Sequence, residues 1–173
     1  MKKIKSLNKD HSRLFVPSKK AYINGERPKV KCILCSVVEK NPQVASLEIY
    51  RGKYFIVSAN LYPYNSGHIM IFPQRHIETI EDFTNEEVIE SFELQKVGLK
   101  VLRDNYNPSG FNVGYNMGES SGGSIDHLHL HIVPRYHREV GFIDVIGGSR
   151  IIVEDPNETL EKLKKAFDIH FSN

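Results

Sequence analysis

His127-Leu128-His129-Leu130-His131-Ile132-Val133 sets three histidines at alternate positions with aliphatic residues between them. Alternation of this kind is the period of a β-strand, so the three imidazoles share one face while Leu128, Leu130 and Ile132 anchor the other on the core. Ordinary core or surface histidines do not usually occupy three successive positions of one sheet face, because titratable rings are costly to cluster. Nor does one metal ion suit all three: at about 3.3 Å rise per residue the outer two lie about 13 Å apart, against metal bonds of about 2 Å. One or two can ligate. Three rings in a row do suit an extended anion, one as nucleophile and its neighbours as orienting donors. A neutral ring nitrogen attacking phosphorus forms a phosphoramidate and divides one displacement into two.

Upstream, Asn116-Met117-Gly118-Glu119-Ser120-Ser121-Gly122-Gly123-Ser124 is a glycine and serine loop. Its glycines permit close backbone approach, so successive N–H groups and the Ser124 hydroxyl can cradle a phosphate, although such loops are often only turns. A second chemical signal is Cys32-Ile33-Leu34-Cys35. The spacing is common in tetrahedral zinc sites, which need two further ligands, most simply histidines. Two other readings stand beside zinc: a disulfide or redox pair, for which no thioredoxin-like βαβ context is present, and unliganded thiols.

These residues must be positioned by a chain of 173 residues with 40% apolar and 25% charged content, which fits one compact domain. A formal charge of +2 argues against a broad nucleic-acid surface, so phosphate chemistry must be local. Basic Met1 to Lys5 is followed by polar Ser6 to Asp10 rather than an apolar signal segment, and no run approaches the roughly 20 apolar residues of a membrane span. With the Cys-x-x-Cys spacing, this composition makes the cytoplasm the expected compartment.

Residues 1–31, rich in lysine with scattered Phe15 and Tyr22, read as an N-terminal arm, leaving residues 32–173 as a single domain. Leu47 to Arg51 and Lys53 to Val57, flanking Gly52, predict a hairpin; His68 to Phe72 predicts a third strand stopped by Pro73. Thr84-Asn85-Glu86-Glu87 is a capping box, and Val88, Phe92, Leu99 and Leu102 recur at helical spacing until Asn107-Pro108-Ser109-Gly110 ends the run. Gly110 to Tyr115 and Asp126 to Val133 predict two more strands. A final helix is capped by Asp155, with Pro156 in its first turn and Leu160, Leu163 and Phe167 along it. Strands interrupted by one long central helix predict an α+β fold with an antiparallel sheet.

His127 to Pro134 resembles the H-φ-H-φ-H-φ-φ signature of histidine triad proteins, and Asn60 with Gly67-His68-Ile69-Met70-Ile71-Phe72-Pro73 is similar to a second segment of that family. The resemblance covers about Leu14 to Phe167 and implies a histidine triad (HIT-like) fold and homodimerisation. It implies His129 as the nucleophile that carries the nucleotidyl group, His131 as a phosphate contact, His68 as a brace for the cluster, Asn60 on the ribose and Asn116 near the phosphates. Ser121-Gly122-Gly123-Ser124 departs from the A-G-Q of many hydrolase members. With Asn116, it resembles instead the diadenosine tetraphosphate phosphorylase branch, where such residues bind the attacking phosphate. Gly141 to Gly148 is similar to that branch too, whereas Tyr136 stands where it often has tryptophan. In zinc-bearing relatives the partners of the thiols match His76 and His127.

The resemblance thus implies an enzyme that cleaves dinucleoside polyphosphates, diadenosine tetraphosphate being favoured, through a nucleotidyl-His129 intermediate with inorganic phosphate or water as acceptor. Its competitors are a nucleoside phosphoramidate or aminoacyl-adenylate hydrolase and a non-catalytic, zinc-stabilised nucleotide-binding module. The Gly-Gly-Ser loop argues against the first and the full set of three histidines against the second.

Overall fold

The structure, a computed structural model, describes residues 28–121, 124–137, 139, 152 and 154–172. Most of the lysine-rich arm, Gly122, Gly123 and the segment 141–148 lie outside the described residues. Five strands form one antiparallel sheet: β1 (Glu48–Arg51), β2 (Phe55–Ala59), β3 (Ile69–Pro73), β4 (Gly110–Tyr115) and β5 (Leu130–Arg135), in the order β1-β2-β3-β5-β4. Among the described residues the α-helices are α1 (Ile33–Val38), α2 (Asn85–Tyr106) and α3 (Pro156–Ser172). The α+β architecture read from the pattern of strands and helices is therefore the observed one. No helix among the described residues is long and apolar enough to cross a membrane.

Alternation along the strands gives the sheet two working faces. Val57, Ile69, Ile71, Leu130 and Ile132 pack with Leu94, Val97, Val101 and Leu102 of α2 and with Leu163 and Phe167 of α3. On the other face Ile56 and Phe72 pack with Leu34 and Val37 of α1, and Val44 joins them. The histidines that the sequence singles out occupy this second face, so the thick core backs the site.

α2 starts as the sequence predicts. The Thr84 hydroxyl accepts from the Glu87 N–H at 3.3 Å and the Glu87 carboxylate accepts from the Thr84 N–H at 2.8 Å. It ends at Asn107, which takes the left-handed conformation with φ of 45°. Its buried face, however, differs from the expected one. Val88 and Phe92 are exposed, at 41% and 63%, while Glu87, Ser91, Leu94, Gly98 and Val101 turn inward. Periodicity identifies an amphipathic helix, but here a buried carboxylate, a serine and a glycine on the core side hide its phase.

Strand bounds also shift by a few residues. β2 runs to Ala59, and Pro73 remains in register as the last residue of β3, opposite Phe55. β5 begins at Leu130, so His127 and His129 lie just ahead of it, where the Leu128 N–H donates to the Ile77 carbonyl at 2.7 Å. α1 was absent from the sequence reading: at six residues it is too short to display a full apolar period, and Cys32 caps it by accepting from the Cys35 N–H. α3 begins at Pro156 behind Asp155, whose carboxylate accepts from the Asn157 N–H at 2.8 Å, and its Phe171 stacks on Tyr50.

Gly98 sets how closely α2 approaches the sheet. A Cβ placed there would stand 3.1 Å from Ile69 Cδ1 and 3.5 Å from Ile132 Cδ1. Those two residues neighbour His68 and His131 in sequence. Replacing Gly98 by leucine should overfill this contact and cost about 1–3 kcal/mol; a chemical denaturation midpoint equal to the parent's would contradict the packing described.

Candidate functional site

The three histidines of the sequence motif divide between two clusters. His127 turns toward the cysteines: its Nδ1 is 3.4 Å from Cys32 Sγ and 3.5 Å from Cys35 Sγ, and His76 Nδ1 is 3.4 Å from Cys35 Sγ. One donor atom from each of Cys32, Cys35, His76 and His127 lies within 4.8 Å of all the others. The two thiols are not joined as a disulfide. His129 and His131 instead meet edge to face, with ring centroids 4.8 Å apart, and His131 reaches His68.

Backbone groups fix the tautomers. A carbonyl can only accept, so the 2.9 Å contact from His127 Nε2 to the Pro73 carbonyl places the proton on Nε2 and leaves the Nδ1 lone pair facing the thiols. Likewise the 2.7 Å contact of His129 Nδ1 with the His127 carbonyl puts the proton on Nδ1. Its Nε2 has no hydrogen-bond partner among the described residues. Since no buried side-chain nitrogen or oxygen there is left unpaired, this Nε2 opens to accessible space, and in the neutral ring it is the nitrogen that carries the lone pair. His68 Nδ1 accepts from the Tyr64 N–H at 3.1 Å, so Nε2 carries the proton and donates to His131 Nδ1 at 2.9 Å. His131 then keeps its remaining proton on Nε2.

Burial favours the neutral form of His68, His127 and His131. Burial, then the charges that His131 and His129 would carry, pushes His68 down to about 3, and burial with His129 pushes His131 down to about 4. Burial likewise takes His127 down to about 4. The Cys35 thiol moves the other way, up to about 11, through burial and the neighbouring Cys32.

The donor set fits a divalent metal such as zinc. Bonds of about 2.3 Å to sulfur and 2.0–2.1 Å to nitrogen in a tetrahedron place sulfur and nitrogen about 3.6 Å apart, close to the separations seen here. The outer contacts fit as well: Pro73 holds His127 through Nε2, and Glu78 lies 3.5 Å from His76 Nε2.

The other expected site residues take varied positions. Asn60 is buried beside His68 with its carbonyl oxygen accepting from the Tyr62 N–H; its Nδ2 stands 3.3 Å from His68 Nε2, a contact between two donors rather than a hydrogen bond in this tautomer. Asn116 follows Tyr115, which pairs with Leu130 next to His129, so the register brings it to the histidine end of β5. Ser124 is exposed in the connection between β4 and β5, while Gly123 lies outside the described residues. Tyr64 was not singled out from the sequence, yet its ring stacks on His68 with centroids 5.0 Å apart. Pro73 and Ile77 were also missed as backbone partners. Tyr64 sits four residues before a singled-out histidine and could have been weighed; carbonyl partners carry no side-chain signal.

Comparison with known proteins agrees with the fold and the family resemblance. The HIT domain model matches residues 41–138. An AP-4-A phosphorylase of Mycobacterium tuberculosis is 43% identical over 115 residues, covering 64% of this chain and 59% of that protein. The chain thus spans about three fifths of the length of that relative. A bis(5'-nucleosyl)-tetraphosphatase (asymmetrical) of Schizosaccharomyces pombe is 29% identical over 103 residues, 60% of this chain and 57% of its own length. Among solved structures, a Zn-bound histidine triad family protein from Mycobacterium smegmatis shares the fold with a TM-score of 0.67 and 23% identity, over 82% of this chain and 96% of that one. With its family model matched over most of the sheet and over the histidine motif, this chain belongs to the HIT domain family, the histidine triad proteins.

Proposed function

We propose that this chain cleaves a dinucleoside polyphosphate, with diadenosine tetraphosphate the favoured substrate, by passing a nucleotidyl group to His129 and then to inorganic phosphate or water. The observation that carries the reading is the geometry of His129: Nδ1–H held by the His127 carbonyl, which leaves Nε2 open as the ring's attacking nitrogen. Likeness to an AP-4-A phosphorylase supports the substrate class.

In the first displacement Nε2 bonds to the α-phosphorus while the P–O bond to the leaving nucleoside polyphosphate breaks, the electron pair departing with that oxygen. The ring gains positive charge, which the His127 carbonyl stabilises through Nδ1–H. The His131 Nε2–H is the donor for a phosphate oxygen, where negative charge accumulates. His68 keeps that donor in place by giving its own proton to His131 Nδ1. In the second displacement an acceptor oxygen attacks phosphorus, the P–N bond breaks with its electron pair returning to Nε2, any proton on the attacking oxygen passes to solvent, and the imidazole returns to neutral.

Asn60 is assigned to the ribose hydroxyls. Asn116, Gly123 and Ser124 form the seat of an acceptor phosphate, whose bound oxygen gains effective concentration over one diffusing freely. Cys32, Cys35, His76 and His127 would hold zinc, which as a closed four-donor site supplies structural stability rather than an open catalytic position.

We also infer a homodimer built on the β4 edge. β4 ends the sheet, and Val113 lies two residues before Tyr115, whose hydroxyl meets Ser91 of α2. The exposed Val88, Ile89 and Phe92 flank Ser91, and among the described residues no strand pairs with the outer edge of β4.

His129→Ala should abolish turnover of diadenosine tetraphosphate while nucleotide binding persists; an undiminished rate would remove the covalent route. With the parent protein, ADP plus ATP formed only when phosphate is present indicates phosphorolysis, and AMP plus ATP throughout indicates water as acceptor. Phe92→Asp should turn a dimer into a monomer in sedimentation experiments, and a dimer unaffected by it would place the interface elsewhere. Stability should also depend on pH. His68 and His131 have folded pKa values near 3 and 4, below the ordinary 6.5, so the unfolded chain binds more protons in acid. Their contribution is complete above about pH 6.5 and is lost as pH falls from there toward 4. In metal-free protein, His68→Gln should flatten this slope by up to about 1.4 kcal/mol per pH unit; an unchanged slope would mean His68 is not held neutral.

A further inference from the structure

Segment 73–77 serves both clusters at once. Pro73 accepts from the His127 ring, His76 faces Cys35, and the Ile77 carbonyl accepts from the Leu128 N–H between His127 and His129. Arg75, at the centre of this segment, points away from both clusters toward α2. Its Nε and Nη2 donate to the two carboxylate oxygens of Glu87 at 2.6 and 2.7 Å, and Nη2 also reaches the Asp82 carbonyl. The Glu87 side chain is 4% exposed, and it is the same carboxylate that closes the α2 capping box on Thr84. Hydrogen bonding to Arg75 holds it below the ordinary carboxylate range.

A bidentate guanidinium–carboxylate pair fixes both distance and plane, unlike a single point charge. One partner is embedded at the N-terminus of a 22-residue helix, which is itself anchored on the core. The other sits one residue from His76 and two from Pro73 and Ile77. The segment between the end of β3 and the turn at Ile80–Asp82 therefore has its position imposed from the helix.

We infer that the Arg75–Glu87 ion pair is a positioning latch: it holds the 73–77 segment so that His76 completes the four-donor metal cluster and Ile77 sets the register of the histidine strand. The first part rests on the metal reading above, whereas the second does not. Neither residue touches the thiols or the reacting histidines in the structure. Both act through the backbone that they fix.

Two readouts test this. Zinc affinity is measured by chelator competition on the full chain, and hydrogen exchange at the Leu128 amide is measured on metal-free protein. Glu87→Gln is informative because glutamine still closes a capping box while removing the charge, and Arg75→Gln breaks the pair from the other side. Each should weaken zinc about 10–100-fold, the range seen when outer partners of metal ligands are lost. Each should also speed Leu128 exchange about tenfold through local opening. Arg75→Lys should recover part of both. Thr84→Ala, which weakens the helix start but keeps the ion pair, should stay within about threefold of the parent in both readouts. The latch is overturned if Glu87→Gln and Arg75→Gln match the parent in both measurements, or if Thr84→Ala loses as much as they do. Should the parent bind no zinc, the metal reading falls, and the Leu128 exchange rates alone decide the latch.

Discussion

His127 faces in two directions, and the site depends on it. Its ring is clamped between the Pro73 carbonyl and the two thiols, while its own carbonyl accepts the Nδ1 proton of His129. The cysteine cluster and the His129 ring are therefore separated by one residue of backbone. A displacement of the His127 ring would carry its carbonyl along, and with it the proton that keeps His129 Nε2 free. Burial strengthens the coupling: His127 and His129 are only 1% and 4% exposed, and a ring nitrogen shut off from water loses free energy whenever it lacks a partner.

Alternation along one short stretch distributes the labour. Residues 127, 129 and 131 share a face, yet each ring has a different neighbour: thiols, open space and His68. The proton positions of all four rings trace back to three backbone groups, the Pro73 and His127 carbonyls and the Tyr64 N–H. Backbone donors and acceptors do not titrate, so their side of each contact is the same at any pH. Burial and mutual repulsion add to it by disfavouring a second positive charge among rings about 5 Å apart.

The remainder of the fold supplies stiffness behind that face. α2 and α3 cover the opposite side of the sheet, and Gly98 lets α2 come close to Ile69 and Ile132. Glu90 on the same helix accepts from the Tyr54 and Phe55 N–H groups and closes the β1–β2 hairpin. Thus one helix braces both ends of the central strands, and its polar residues Glu87, Ser91 and Glu90 do more to place loops than its exposed apolar ones.

The histidine strand, its shared face, the capping box at Thr84 and the α+β class could be read from the chain itself, because strand and helix periods and caps are local relations among near neighbours. The identities of Cys32 and Cys35 suggested a metal, but their partners lie 41 and 92 residues from Cys35 and were supplied by family resemblance rather than by spacing. Which face of α2 is buried was misread at Val88 and Phe92, since a period carries no information about what the helix packs against. The tautomers of His68, His127 and His129 were beyond reach for a different reason. They are decided by carbonyl and amide groups that nearly every residue possesses, and only the tertiary structure determines which of these identical groups arrives within 3 Å or so of a given ring.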